Sequence, residues 1–178
     1  MIPLPPLLYI SSRNKRQEGL GADDKNGIWI ALKCLEKYDS LKLAFFVIEE
    51  VGCVGSGKAV MDFFNDCRFV IQPDRRGYQD IINEIGWTSL CSPEFLVSEL
   101  FISGSLKELK ERGLQVSCIN LSCGYYEPHT DHEFTIKKDL MNCLSQVEHI
   151  IENCTEPYPH QAEIPGRRRG IYDEFDCI

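Results

Sequence analysis

The chain has 178 residues, 43% of them apolar and 26% charged, which suits one globular domain with a real core and hardly two. Its formal charge of −8 argues against nucleic-acid and anionic-membrane partners, since both want a basic face. Nine cysteines, an odd number with no Cys-x-x-Cys pair and several inside apolar runs, point to a reduced, cytoplasmic protein rather than a disulfide framework.

Residues 1–20 are the least regular, with 7–10 a candidate strand and 11–19 a polar loop. Three prolines and the lack of a basic leader speak against a signal peptide, and no run approaches the length of a membrane span. From Lys25 to about Tyr38, Ile28, Ala31, Leu32 and Leu35 recur at helical spacing. Residues 41–48, LKLAFFVI, form a nearly continuous apolar run and predict a strand buried on both faces. A helix is expected over 57–65. A second buried strand is expected over 67–71, stopped by Gln72-Pro73-Asp74. Residues 81–87 suggest another strand or edge element, 93–100 and 105–112 helices, and 115–121 a strand. The last strong element is a helix over 138–154, with Leu140, Cys143, Leu144, Val147, Ile150 and Ile151 on its inner side. Strands alternating with helices predict an α/β domain over 1–154, a three-layer αβα sandwich around a mostly parallel sheet, incomplete at its N-terminus. Residues 155–178 read as a tail, and its run Arg167–Arg169 beside Asp173, Glu174 and Asp176 as a solvated charge cluster.

Ligands of open α/β sheets bind outside the carboxyl ends of the strands, so the residues just after each strand matter most. Glu49 and Glu50 follow the 41–48 run, Asp74 follows the 67–71 run, and His129 and His132 lie in the loop after 115–121. Asp23 and Asp24 stand just before the first helix. Carboxylates gathered on one edge resist ionisation unless a cation stands between them. A mixed Asp/Glu/His set suits zinc, and also manganese or cobalt. One stretch carries a competing signal: Gly52-x-x-x-x-Gly57-Lys58 has the spacing of a phosphate-binding loop. Ala59 then follows where a magnesium-binding hydroxyl belongs, and the two glutamates add negative charge beside the loop.

Four phrases in order, LGADDKNG, FFVIEEVGCVGS, VIQPDRRG and NLSCGYYEPHTDHEF, resemble the co-catalytic zinc exopeptidases of the peptidase T and aminoacylase type over about residues 19–154. The resemblance implies hydrolysis of an amide bond in a short peptide or an N-acyl amino acid. It implies Asp23 as a ligand bridging two zinc ions, followed by Asp24 across a bond often cis in that family. Glu49 would be the general base, Glu50 and His129 ligands of one metal, and Asp74 a ligand of the other. His132 would be a neighbour of the ligand set or a surface residue, and Glu133 would orient the loop. All four histidines, however, lie at or beyond His129, so the family's upstream His-x-Asp phrase is missing and one metal site is expected to be incomplete. The span from Asp74 to His129 is too short for the lid and dimerisation domain of many relatives. The chain therefore reads as an N-terminally shortened member, active or else an inactive metal-binding remnant.

Overall fold

Burial of apolar side chains on two faces of one small sheet organises the protein. The computed structural model describes residues 20–49, 51–83, 96–98 and 104–159. Helix α1 (Ala22–Lys37) comes first, and two 3-10 turns, Ser56–Lys58 and Met61–Phe64, precede strand β1 (Val70–Arg75). Strands β2 (Asp80–Asn83) and β3 (Leu96–Ser98) follow, then α2 (Gly104–Glu111) and β4 (Cys118–Ser122). The short pair β5 (Tyr125–Tyr126) and β6 (Phe134–Thr135) leads into α3 (Lys137–Asn153). The main sheet has the order β1-β4-β2-β3. Pairs β1–β4 and β2–β3 are parallel and β2–β4 is antiparallel, so the sheet is mixed.

Side chains alternate across a strand, and here the alternation separates two cores. Ile71, Ile119 and Leu121 join Ile30 and Cys34 of α1 and Cys143, Leu144, Val147 and Ile150 of α3. Val70 and Cys118 instead meet Leu106 and Leu109 of α2, with Phe64. Burying a Leu or Ile side chain contributes about 1.5–3 kcal/mol, so these two clusters carry most of the stability. The thiols of Cys34, Cys123 and Cys143 sit inside the first cluster as small apolar groups. Burial pushes Cys34 up to about 11 and Cys143 up to about 12.

Several sequence expectations are corrected. Residues 41–48 are not a strand among the described residues, and Phe45, Val47 and Ile48 are more than half exposed (53%, 68% and 55%). Their backbone serves the following turn instead: Val54 and Gly55 N–H donate to Ile48 and Val47 carbonyls at 3.1 and 3.0 Å. The helix expected over 57–65 is the two 3-10 turns. Strand β1 does not stop at Gln72 but runs through Pro73 and Asp74, which an edge strand tolerates because proline need not donate there. Residues 96–98, expected in a helix, pair in parallel with β2. In α1 the buried positions are Ala22, Asn26, Ile30 and Cys34, while Ile28, Leu32 and Leu35 face outward. Helices α2 and α3 form within one residue of expectation. Residues 7–10, Glu50, 84–87 and the tail from 160 lie outside the described residues. Among the described residues no helix is long and apolar enough to cross a membrane.

Candidate metal centre

The first turn of α1 is built around Asp23. Gly21 takes the left-handed conformation (φ 65°) that leads into it, and Asp23 itself is extended (φ −82°, ψ 110°). The bond from Asp23 to Asp24 is cis. Glu133, far along the chain, completes this turn from outside. Its two carboxylate oxygens accept the N–H groups of Ala22 (2.9 Å) and Asp23 (3.1 Å). A negative group there satisfies two of the amides that open a helix and also complements its dipole.

Asp74 reaches the same place from β1. Pairing with β4 skips it, from Pro73 opposite Leu121 to Arg75 opposite Ser122, so Asp74 is the extra residue of a bulge, a device that re-aims a side chain. Helix α1 can approach this strand end because residue 27 is glycine: a Cβ there would lie 2.4 Å from the Pro73 carbonyl oxygen. Carboxylate oxygens of Asp23, Asp24 and Asp74 lie within 4.8 Å of one another. Gln72 Nε2 donates to Asp74 Oδ2 at 2.5 Å, and the Tyr125 hydroxyl donates to the Asp74 carbonyl at 3.2 Å. Burial pushes the Asp74 carboxyl up to about 8, and the charges of Glu49, Asp23 and Asp24 push the same way against the Gln72 hydrogen bond.

His129 stands at the rim in a left-handed conformation (φ 61°), with Nε2 3.5 Å from Asp23 Oδ2. Together with Gly21, Asp23, Thr130, Asp131 and Glu133 it lines an open pocket of about 280 Å³. His132, in the same loop, is exposed, and its backbone N–H donates to Thr130 Oγ1 at 3.2 Å. Glu49 stands at the start of α2, where Oε1 accepts the Ser105 N–H at 3.0 Å, and it is close enough to Asp74 to act on that carboxyl's ionisation. Gly104 (φ 61°) makes this possible, since a Cβ there would lie 2.4 Å from Glu49 Oε1.

The residues expected from sequence are therefore gathered unevenly. Asp23, Asp24 and Asp74 converge, His129 joins Asp23, and Glu133 holds the turn that carries Asp23. Glu49 adjoins the acidic group through its charge, and its carboxylate caps α2. Sequence reasoning missed the support: Gln72, Tyr125, Asn26 and Thr135. Only Asn26 left a signal, as the polar member of the i,i+4 row Ala22, Asn26, Ile30 and Cys34.

Three carboxylates with one of them pushed to about 8 make a donor set that a divalent cation would relieve, so the residues present fit such an ion. With mostly oxygen donors, the set suits manganese or magnesium as well as zinc. The glycine-rich loop offers less to a phosphate. The N–H groups of Cys53, Val54, Gly55, Gly57 and Lys58 all donate within the chain at 2.9–3.1 Å, and Arg112 clamps the Ser56 and Ala59 carbonyls at 2.6 and 2.8 Å. No family model, curated protein or solved structure matches the chain.

Proposed function

We propose that the protein is a cytoplasmic metal-dependent hydrolase of amide bonds, acting on short peptides or N-acyl amino acids from a three-layer αβα scaffold. The observation that carries this reading is the convergence of Asp23, Asp24 and Asp74 from two distant segments, with His129 3.5 Å from Asp23. The resemblance in the four phrases supplies the reaction class. Asp23 and Asp74, with His129 beside Asp23, would hold zinc, manganese or cobalt, the resemblance adds Glu50 as a further ligand, and Asp24 adds charge at the same place. A divalent cation supplies charge that polarises an amide carbonyl and acidifies a water molecule. Glu49 would be the residue that accepts a proton there. The Ser105 N–H fixes one of its oxygens, which leaves the other for transfer. Glu133 keeps Asp23 in place by holding the backbone on which it stands.

A second reading, an inactive protein that binds one ion, is favoured by the cap that Glu49 makes on α2, which engages one oxygen of the carboxylate that would act as base. Metal analysis of the purified protein, with Asp23→Ala as control, and dipeptide hydrolysis with Glu49→Gln separate the two. The hydrolase reading expects metal that the Asp23 variant loses and hydrolysis that drops by about 100-fold or more in the Glu49 variant. Metal without hydrolysis leaves the binding protein. Hydrolysis unchanged by Glu49→Gln overturns the role given to that residue.

A further inference from the structure

The side chain that ties this centre together is not one of its acids. We propose that Asn26 is a positioning residue, holding the segments that bear Asp23, Asp74 and His129 in one arrangement. The inference rests on the metal reading above and adds to it the part of the fold on which affinity for the ion depends.

Asn26 is 6% exposed and stands in α1, three residues after Asp23. Its Nδ2 donates to the Cys123 carbonyl at 2.9 Å, and its Oδ1 accepts the Thr135 hydroxyl at 3.1 Å. A carbonyl can only accept, so the first bond fixes which way the amide is turned. Both partners lead to the other segments. The N–H of Cys123 donates to the Arg75 carbonyl at 2.8 Å, directly after Asp74. Thr135 lies two residues beyond Glu133 and pairs with Tyr125, whose hydroxyl reaches the Asp74 carbonyl. One buried amide thus bonds Cys123, which is itself tied to the strand end behind Asp74, and the return of the loop that carries His129, from the helix that presents Asp23.

The position needs a neutral group that donates on one side and accepts on the other. Aspartate would set a carboxylate against the Cys123 carbonyl, and leucine would leave that carbonyl and the Thr135 hydroxyl without their partner. Groups that orient metal ligands typically change metal affinity by about 10–100-fold when removed.

The test uses cobalt(II) as the probe, followed by its visible absorption and by calorimetry, with urea unfolding in chelator measured on each variant. Thr135→Val removes only the hydroxyl at nearly constant shape, Thr135→Ser keeps it, and Asn26→Leu removes the amide. The expected result is cobalt affinity about tenfold weaker or more in Thr135→Val and Asn26→Leu, with an altered absorption band, and affinity within about threefold of the parent in Thr135→Ser. Variants that lose stability yet bind cobalt with parental affinity and spectrum overturn the positioning role while the metal reading stands. A parent protein that binds no cobalt overturns both.

Discussion

Asp74→Asn tests whether the acidic cluster is held together against its own charge. The folded protein raises the Asp74 carboxyl from 3.8 to about 8. A folded-state value above the unfolded one means that the folded chain binds the proton more tightly. The metal-free protein should keep full stability below about pH 4, lose it steadily as pH rises toward 8, and change no further above that through this group. At about 1.36 kcal/mol per unit, the shift sets a ceiling of about 6 kcal/mol on the loss. Water at the open side of the site screens part of it, and about 2–4 kcal/mol is the expected effect. Asparagine keeps an oxygen for the Gln72 amide and removes the charge. In chelator, urea unfolding across pH 4–9 should show Asp74→Asn more stable than the parent by that amount at pH 8.5 and no different at pH 4. The ranking should reverse in excess zinc or manganese, because only the parent can exchange its proton for the cation. A variant less stable than the parent at pH 8.5 in chelator, or one with the parent's full pH dependence, would refute the argument.

Other consequences can be checked on the same preparation. Glu133→Gln should lower unfolding stability by about 1–2 kcal/mol in chelator, because a neutral amide offers one acceptor where the carboxylate satisfies the Ala22 and Asp23 amides together; urea titration reads it. Gly27→Ala should cost about 1–3 kcal/mol and also weaken cobalt binding, since the new Cβ lies 2.4 Å from the Pro73 oxygen and must push α1 away from the strand end that carries Asp74. Burial holds Cys34, Cys123 and Cys143 as thiols well above their ordinary range. They should resist iodoacetamide at pH 8 in the folded protein and react in guanidinium, as peptide mapping by mass will show.

The sequence by itself determined the elements whose signal is local. The row of apolar residues in α3 and the leucines of α2 specify those helices, and the apolar runs near 70 and 118 specify the two paired strands. The acids at Asp23, Asp24 and Asp74 were legible for the same reason, because each stands beside such an element in the chain. Tertiary structure decided what local pattern leaves open. Helix α1 is apolar along two rows, Ile28, Leu32 and Leu35 on one and Ala22, Ile30 and Cys34 on the other, and periodicity alone fits both. Asn26 bonding to Cys123 and Gly27 pressed on Pro73 select the second row, through contacts with residues distant in sequence. The run at 41–48 has the composition of a buried strand, but a strand also needs a pairing partner, and none of the described strands pairs with it. The bulge that turns Asp74 toward Asp23 arises where β1 meets β4, and Glu133 joins the Asp23 turn across 110 positions of chain. Hydrophobic periodicity is a property of a few neighbouring residues, whereas a site made of separate segments exists only once packing has set the distances between them.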